Sequence, residues 1–371
     1  MISLRPHKPL TLGTVEITKR ERQLVNEVLD SGKLSPGQKA QHFERLVAAR
    51  HGLPHATYCN SGQSALHLAL EALKLHQPRL KRVLVPAVTY ISSLHAVWNA
   101  GLQVVLCDVD PTTALLDLST HRGGAYDAVM PVHLFGKACV LPEQPVPVVE
   151  DGCEALGAPG SGYGEFLCLS FYVAHTITTG VGGMVLTPVA QLDEDVKRLC
   201  NHGRVRGSDL YAGLRVDRLD ASVRFRFNAV GFSYKLGDLN AALGIAQMER
   251  LDAILARRRT IGLRLIGALQ DIPALQLPNP DGHTFMMFPL VCREPALKAP
   301  LVAHLNEAGI ETRDLMPVTT QPIVHQILGD IEAKYPVAQQ LNAQGFYVGV
   351  HHQLTDADVD YLVETLHAFP Y

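Results

Sequence analysis

The 371-residue sequence has almost no excess of charge of either sign, with 33 Lys and Arg against 36 Asp and Glu. A formal charge of −3 leaves no basic field for a nucleic-acid backbone, so we expect no nucleic-acid partner. No apolar run approaches the roughly 18 residues of a membrane span, and the first residues lack the apolar core of a secretion signal. Together with a hydrophobic content of 47%, these absences predict a globular cytoplasmic protein.

The seven cysteines form no pattern that indicates a disulfide framework or a metal site. Their number is odd, they are spread between Cys59 and Cys292, and none belongs to a C-x-x-C pair. We therefore expect reduced, mostly buried thiols, no metal site and no iron–sulfur cluster.

Short apolar segments rich in Val and Leu alternate with helical or turn segments over about residues 61–187. The predicted strands are 82–86, 104–109, 128–132, 146–150, 166–172 and 183–186. Strands of this composition are typical of a mainly parallel sheet covered on both faces. The sequence thus predicts an α/β domain.

The C-terminal part shows a different pattern. A helical pattern begins at Asp238 and continues towards Leu269, and it is followed by a predicted strand at 284–291, a helix at 296–308 and a strand at 346–350. A final helix is predicted after Thr355, with Asp358 completing an N-terminal cap. We predict a large α/β domain over 1–250 and a smaller α+β domain over 251–371, with a mobile loop at 203–222.

Polar residues follow several predicted strands, where open α/β sheets bind ligands. The Ser61-Gly62 turn precedes a helix, so its N–H groups can bind a phosphate, or Ser61 can serve only as the N-cap. Asp151 can hold a protonated cofactor ring nitrogen, or cap the following helix. Tyr90 can stack on an aromatic cofactor, or simply pack.

Taken in order, these and other segments resemble the DegT-type sugar aminotransferase family, which has the fold of aspartate aminotransferase. The matching segments are 31–37, 43–44, 60–62, 86–96, 108–111, 131–136, 150–151, 170–183, 231–244 and 345–358. The resemblance implies a fold type I, PLP-dependent transferase-like fold, with pyridoxal or pyridoxamine 5′-phosphate as cofactor. It also implies a homodimer with shared active sites.

The resemblance also implies roles for individual positions. Asp151 pairs with the pyridinium nitrogen, Tyr90 covers one face of the ring, and Glu154 lies near the phenolic oxygen. The cofactor phosphate is bound by a group of small or polar residues, namely Ser61, Gly62, Gln63 and Ser170. Ser233 lies in a segment that reaches the phosphate of the partner subunit.

His175 stands where the family has its cofactor-binding lysine, between Ser170-Phe-Tyr and Thr178-Thr-Gly. An imidazole can transfer protons near neutral pH but cannot hold pyridoxal phosphate as a Schiff base. Within the family, histidine at this position is typical of GDP-4-keto-6-deoxymannose 3-dehydratases. The resemblance therefore implies removal of the 3-hydroxyl from a 4-keto-6-deoxy sugar nucleotide, with His175 as acid and base and glutamate restoring pyridoxamine phosphate.

Two other functions remain open at this point: an aminotransferase-like or other pyridoxamine-dependent reaction, and a non-catalytic binding protein. Three positions depart from the family pattern, with Gln63 in place of Thr, Val181 in place of Glu and Ser233 in place of Asn. Lys137 and Lys235 lie near family site segments, but neither occupies the strand end of the missing lysine.

Three further polar residues have weaker support. Arg313 and His325 lie in a segment that matches a substrate-side region of the family, and each can be either a substrate-binding residue or a surface or packing residue. His133 ends a predicted strand and is interpreted as a structural histidine.

Overall fold

The computed structural model describes residues 9–122, 124–205 and 225–371. Seven short strands, rich in Val, Leu and Cys, build the centre of its N-terminal part. They are β1 (His55–Cys59), β2 (Arg82–Pro86), β3 (Gln103–Cys107), β4 (Ala128–Val129), β5 (Val149–Asp151), β6 (Phe166–Ser170) and β7 (Gly183–Thr187). The predicted strands are therefore confirmed in place, although several are shorter than the apolar runs that indicated them.

These strands form two sheets that lie edge to edge, with the orders β3-β2-β4 and β5-β6-β7-β1. Two parallel bridges, Val129 to Val148 and Val132 to Asp151, connect β4 to the β5 side. Pairing is parallel between β2 and both β3 and β4, and between β5 and β6, whereas β7 runs antiparallel to β6 and to β1. The predicted mainly parallel α/β arrangement is confirmed, with β7 as the reversed strand.

Helices cover both faces of this layer, because successive side chains of a strand point to opposite faces. Phe166 and Cys168 pack into one apolar cluster, and Leu167 and Leu169 pack into the other. The helices of this part are α1 (Lys19–Ser31), α2 (Gln38–Arg50), α3 (Gly62–His76), α4 (Ser92–Asn99), α5 (Ala190–Cys200) and α6 (Asp238–Met248). The strands that carry the candidate site are thus held from both sides.

The helical pattern that begins at Asp238 contains two helices rather than one. After α6 the chain turns at Glu249–Arg250, and α7 (Leu251–Leu269) begins. Arg250 leaves the helical conformation, with φ −110° and ψ 1°, and its guanidinium forms ion pairs with Glu16 and Glu21. The turn brings the N-terminal residues next to the start of α7.

An antiparallel sheet with the order β10-β11-β9-β8 forms the centre of the C-terminal part. Its strands are β8 (Leu275–Gln276), β9 (Met287–Cys292), β10 (Thr312–Asp314) and β11 (Gly345–Gly349). The helices are α8 (Pro295–Glu307), α9 (Pro322–Leu328), α10 (Pro336–Gln344) and α11 (Asp356–His367). Thr355 and Asp358 form the expected capping box of α11.

The strand predicted at 284–291 begins three residues late, at Met287. Residues 284–286 instead contact the turn that follows β4: the Thr284 N–H donates to the Gly136 carbonyl at 2.8 Å, and the Met286 N–H donates to the Phe135 carbonyl at 3.0 Å. Phe135 and Phe285 both have left-handed backbone conformations, with φ 56° and 53°. Such conformations are strained for residues other than glycine and persist only where the surrounding structure enforces them. The contact between residues 135–136 and 284–286 is therefore well fixed.

The N-terminal segment, residues 9–18, crosses from the C-terminal sheet to the first helix. Leu10 pairs with Ile310, and the Leu12 N–H donates to the Glu311 carboxylate at 3.1 Å. Gly13 packs directly on the backbone of Ala174, close to His175. The segment therefore contacts the loop that carries His175.

Two expectations are not tested by the structure. The division into two domains at residue 250 stays a prediction. Residues 206–222 of the predicted mobile loop lie outside the described residues. Among the described helices, none has the length and apolar character that a membrane span requires.

Candidate functional site

The Ser61–Gly62 turn joins β1 to α3 and is pressed against neighbouring strand ends. The Ser61 hydroxyl accepts the Ser64 N–H at 3.1 Å, so Ser61 is the N-cap of α3. A side chain at Gly62 would lie 2.7 Å from both the Cys153 sulfur and the Ser170 Cβ, so only glycine fits there. The first N–H groups of α3 have no partner within the helix, and they stand beside Ser170, as an anion site requires.

Asp151 ends β5 and is 4% exposed. Its Oδ2 accepts the Ser93 hydroxyl at 2.7 Å and its Oδ1 accepts the Cys153 N–H at 3.2 Å. The Ser93 hydroxyl in turn lies 2.7 Å from that of Thr89. The carboxylate is thus fixed by hydrogen bonds from α4 and from the turn after β5. Its oxygens can still accept one more hydrogen bond, for example from a ring N–H.

Glu154 lies one turn further along, near the same strand end. Its Oε2 accepts the Phe135 N–H at 2.9 Å. Burial and the nearby Asp151 raise the pKa of Glu154 to about 7, although the bond from Phe135 acts in the opposite direction. Near neutral pH this carboxyl group can therefore either donate or accept a hydrogen bond.

Tyr90 follows β2, and its side chain is 61% exposed. The backbone on both sides is fixed, because the Thr89 N–H donates to the Met316 carbonyl at 2.9 Å and the Ser93 N–H donates to the Tyr90 carbonyl at 3.2 Å. An exposed aromatic ring on a fixed backbone has little packing function of its own. This placement favours stacking on a ligand over the alternative of core packing.

His175 lies on the loop between β6 and β7 and is partly buried. Its Nδ1 is buried and has no hydrogen-bond partner among the described residues. It lines a narrow cleft with residues from three other parts of the chain, among them Glu16, Gln247, Arg250 and His352. Burial, with a further contribution from the positive charge of Arg258, lowers the pKa of His175 from 6.5 to about 4.

The loop around His175 is held by its threonines. The Thr178 hydroxyl donates to the Phe171 carbonyl at 2.9 Å, and the Thr178 N–H donates to the Gln247 side chain at 2.9 Å. The Asn240 side-chain amide donates to the Thr179 carbonyl at 2.8 Å. The loop is therefore well anchored, and its histidine is neutral at neutral pH.

Residues 15–367 match the sequence profile of the DegT/DnrJ/EryC1/StrS aminotransferase family. The chain belongs to this family. It is 31% identical to the GDP-perosamine synthase of Caulobacter vibrioides, over 96% of this chain and 97% of that protein, and 30% identical to that of Escherichia coli O157:H7, over 95% and 96%. A solved GDP-4-keto-6-deoxymannose 3-dehydratase with a trapped PLP–glutamate geminal diamine superposes with a TM-score of 0.84, at 25% identity, over 96% of this chain and all of that one.

The family match and the superposed structure confirm the predicted fold, which is that of fold type I PLP-dependent enzymes. The residues of the candidate site fit pyridoxal or pyridoxamine phosphate. The helix start at Gly62 presents N–H groups beside Ser170, and such groups can bind a phosphate. Asp151 is a rigid carboxylate that can bind a ring nitrogen, and Glu154 can hold a proton close to it. What these residues do with a ligand stays a prediction.

Ser93 was missed by the sequence analysis. It lies inside the segment 86–96, which was singled out only for Tyr90. Its spacing of four residues from Thr89 places both hydroxyls on one side of the start of α4, but the sequence does not show that Asp151 lies opposite. That contact depends on the parallel arrangement of β2, β4 and β5.

Two other candidates are engaged in structural contacts. Arg313 is exposed on β10, where it forms an ion pair with Glu311 at 2.6 Å. The His325 Nε2 lies 2.7 Å from the Thr319 carbonyl at the start of α9. These contacts favour surface or packing roles for both side chains, and their predicted contact with substrate stays untested.

His133 has the contacts expected of a structural residue. Its Nε2 lies 2.8 Å from the Glu150 carboxylate, and its Nδ1 accepts the Cys139 N–H at 3.0 Å. Both side chains of the pair are fully buried. The bond from Cys139 assigns the proton to Nε2, so the histidine donates to Glu150.

Three further predicted positions, Ser233, Gln63 and Val181, lie at or near the surface beside the Ser61–Gly62 turn. Ser233 is exposed, and the backbone of its segment pairs with β1, since the Asn60 N–H donates to the Tyr234 carbonyl at 2.8 Å. Gln63 is partly buried at the start of α3, and Val181 is 48% exposed. The departures at these three positions therefore change surface groups beside the site.

Neither Lys137 nor Lys235 takes the place of the lysine that the family has at position 175. The Lys137 ammonium donates to the Asp281 carbonyl at 2.8 Å, and the Lys235 ammonium donates to the Asn201 side chain at 2.7 Å. Among the described residues, no group of three or more His, Cys, Asp or Glu side chains could hold a metal ion.

Proposed function

We propose that this chain is a nucleotide-sugar 3-dehydratase that uses pyridoxamine phosphate and removes the 3-hydroxyl of a 4-keto-6-deoxy sugar nucleotide. The proposal rests on His175, a neutral histidine at the position of the family's lysine. The strand, the threonines and the glycines around it keep the family pattern. In a chain that had lost its activity, we would not expect these residues around His175 to keep the family pattern.

The residues of the strand ends hold the cofactor in this proposal. The free N–H groups of Gly62 and Gln63, together with the Ser170 hydroxyl, bind its phosphate. Asp151, oriented by Ser93, binds the ring nitrogen, and Tyr90 covers the ring. When bound, pyridoxamine phosphate supplies an amine for the keto carbon of the sugar and a ring that takes up electrons.

His175 moves the protons. Its neutral imidazole has one unprotonated nitrogen, which accepts a proton during the first half of the reaction and returns it to the departing hydroxyl oxygen. The hydroxyl leaves as water, and the products are ammonia and a 3-deoxy-4-keto sugar nucleotide. When bound, pyridoxamine phosphate would supply the two electrons that removal of the hydroxyl needs, and glutamate would restore its amine form.

The relatives favour a second candidate, an aminotransferase that keeps the amine on the sugar. Three relatives, at 31%, 30% and 27% identity, are named GDP-perosamine synthase, whereas another relative at 30% identity is named dTDP-4-dehydro-2,6-dideoxy-D-glucose 3-dehydratase. The two candidates share cofactor and substrate class. They differ in whether the amine is transferred or released.

The decisive experiment identifies the product. Incubation with pyridoxamine phosphate, glutamate and GDP-4-keto-6-deoxymannose should release ammonia and form a 3-deoxy sugar, detected by mass spectrometry. The His175→Gln variant keeps a polar side chain but cannot transfer the proton, so its rate should be lower by about 100-fold or more. A 4-amino sugar would support the aminotransferase instead, and absence of both cofactor binding and product would support a binding protein.

Borohydride reduction tests separately whether the protein forms a Schiff base with pyridoxal phosphate. The protein treated with pyridoxal phosphate and borohydride should keep its original mass, since histidine forms no reducible bond with the cofactor. The His175→Lys variant is the positive control and should gain the mass of one reduced cofactor. A labelled peptide that contains Lys137 or Lys235 in the unmodified sequence would contradict the proposal.

The assembly is part of the same proposal. The chain acts as a cytoplasmic homodimer without an iron–sulfur cluster, and the exposed Ser233 reaches the phosphate site of the partner subunit. Sedimentation should give twice the chain mass, and metal analysis of the active protein should find no stoichiometric iron. A Ser233→Ala dimer with unchanged affinity for pyridoxamine phosphate would remove Ser233 from the shared site.

A further inference from the structure

Arg258 lies on α7 and is the largest fully buried side chain in the described part of the chain. Its guanidinium donates to the carbonyls of Phe285 and Met286 at 3.3 and 2.8 Å. Its Nε has no hydrogen-bond partner, and no carboxylate of the described residues offsets its charge. A buried cation without a counter-charge is costly, so the two carbonyl groups are the contacts that compensate it.

The same face of α7 also receives the side chain of Phe285. Gly262 lies four residues after Arg258 and hence on the same side of the helix. A Cβ at Gly262 would lie 2.5 Å from the Phe285 ring, so the ring occupies the space that a side chain there would need. α7 thus binds the backbone of residues 285–286 at one position and the ring of Phe285 one turn further on.

Residues 285–286 in turn hold the segment that follows β4. The Met286 N–H donates to the Phe135 carbonyl at 3.0 Å. A Cβ at Gly136 would lie 2.7 Å from the Met286 nitrogen, so the two segments touch backbone to backbone. The left-handed conformation of Phe135, with φ 56°, persists only where neighbouring contacts enforce it, and the contact with Met286 is one of them.

The N–H of Phe135 is the hydrogen-bond donor to Glu154, at 2.9 Å from Oε2. The described residues provide no second donor to this carboxylate. A continuous series of hydrogen bonds therefore connects Arg258 with Glu154, through the backbone of Met286 and then of Phe135.

The titratable groups around Glu154 come from other elements than α7. Within the described ranges, the groups that act on Glu154 or respond to its charge are Asp151, Cys153 and Tyr347. The first two belong to the end of β5 and the turn after it, and Tyr347 lies on β11. Arg258 is not one of these groups, so hydrogen bonds and not its charge connect it with the carboxylate.

We propose that Arg258 is a positioning residue for Glu154: by binding the carbonyls of residues 285 and 286, it keeps the Phe135 N–H directed at the Glu154 carboxylate. The inference rests on the proposed function, since it concerns the residue that the family resemblance places near the phenolic oxygen of the cofactor. It also gives the buried cation a role, because a guanidinium can bind two carbonyl groups at once.

Carbon-13 NMR of protein labelled at the glutamate side-chain carboxyl tests this role without any turnover. The Glu154 signal is assigned by its loss in Glu154→Gln, and its titration midpoint is measured in the cofactor-free protein. In Arg258→Met, which keeps a long side chain but has no donor, the bond from Phe135 should weaken. Since that bond lowers the pKa of Glu154, the midpoint should rise by about one pH unit.

The neighbouring Arg259 provides the matched control. It is exposed, and its guanidinium donates to the carbonyls of Pro280 and His283, before the two residues that Arg258 binds. Arg259→Met should leave the Glu154 midpoint unchanged. Amide hydrogen exchange gives a second readout, because the Phe135 N–H should exchange faster in Arg258→Met than in Arg259→Met.

A second variant covers the case in which Arg258→Met does not fold, and it leaves the charge of Arg258 in place. In Gly136→Ala the added Cβ displaces the Met286 backbone, so the Glu154 midpoint should rise and the Phe135 amide should exchange faster. An unchanged midpoint in folded Arg258→Met would overturn the role of Arg258. If only Gly136→Ala folds, an unchanged midpoint in that variant does so.

The pH dependence of cofactor affinity separates this inference from the proposed function. If Glu154 lies beside the cofactor, the affinity for pyridoxamine phosphate should change around the Glu154 midpoint, and this change should move to higher pH in Arg258→Met. If no 3-deoxy sugar forms at all, the dehydratase proposal fails. The NMR midpoint and the amide exchange then still decide whether Arg258 positions Glu154.

Discussion

Ser93 shows how much of this site depends on single hydroxyl groups. It donates to Asp151 from within α4, and removal of this bond leaves the carboxylate with one protein donor fewer. Hydrogen bonds to charged groups contribute about 1.5–3 kcal/mol. We expect Ser93→Ala to weaken the binding of pyridoxamine phosphate by about tenfold or more, as measured by fluorescence titration.

The adjacent Ser92 provides a matched control. It belongs to the same helix and is partly exposed, whereas Ser93 is fully buried. Ser92→Ala should therefore leave the affinity unchanged. Equal affinities in the two variants would show that Ser93 does not orient Asp151 for the cofactor.

The residues that the sequence predicted correctly are those whose position follows from local pattern. Ser61 caps the helix that the apolar stripe predicts, and Asp151 ends its predicted strand. Ser93 and Arg258 could not be found in this way, because their hydrogen-bond partners lie far away in the chain. In the sequence Arg258 looks like an ordinary surface residue of a long helix, but in the structure it is buried and its guanidinium donates to the carbonyls of Phe285 and Met286.

At the scale of elements, six of the seven central strands were predictable because buried strands are recognisable as short apolar runs, whereas β1 was not predicted. The direction of β7 was not, since an apolar run carries no information about direction. The late start of β9 had a different cause. The N–H groups of Thr284 and Met286 donate to the carbonyls of Gly136 and Phe135, so that the sheet begins only afterwards.

The N-terminal segment provides a test at this scale. At Gly349, the last residue of β11, an added Cβ would overlap the Thr11 carbonyl oxygen and lie 2.7 Å from the Leu12 Cα. Because both obstacles are backbone atoms, Gly349→Ala should displace the segment. We expect faster proteolytic cleavage before residue 18 and a loss of stability of about 1–3 kcal/mol, measured by urea unfolding.

Gly267 is the matched control for Gly349. It lies within α7, where an added Cβ meets nothing within 4 Å. Gly267→Ala should stabilise the protein by about 0.5–1 kcal/mol, because alanine favours the helix. If Gly349→Ala were as stable and as resistant to protease as Gly267→Ala, the close contact with the N-terminal segment would be wrong.

For the whole molecule, buried histidines set the response to acid. Burial lowers the pKa from 6.5 to about 4 in His51, His175 and His351, and to about 3 in His283. The unfolded chain therefore binds more protons than the folded one between about pH 6.5 and these lower values. Glu154 acts in the opposite direction, since its pKa is raised to about 7.

The free energy of unfolding should consequently fall as the pH is lowered from about 6.5 towards 4. Each buried histidine contributes a slope of up to about 1.4 kcal/mol per pH unit, and Glu154 offsets one of them at most. Urea midpoints at intervals across this range measure the slope. The His283→Asn variant should show a smaller slope than the unmodified protein, and a midpoint independent of pH would contradict the neutral state of these histidines.

The antiparallel pairing of β1 with β7 has a consequence for the growing chain on the ribosome. Cys59 pairs with Gly183, and a Cβ at Gly183 would overlap the Ser61 carbonyl, so the Ser61–Gly62 turn takes its shape against a strand that is synthesised much later. Closure of so long a loop has to precede completion of the turn. A nascent polypeptide that ends before β7 thus holds every residue of the turn but lacks the strand that shapes it, which makes the proposed binding of the cofactor phosphate a late step of biogenesis.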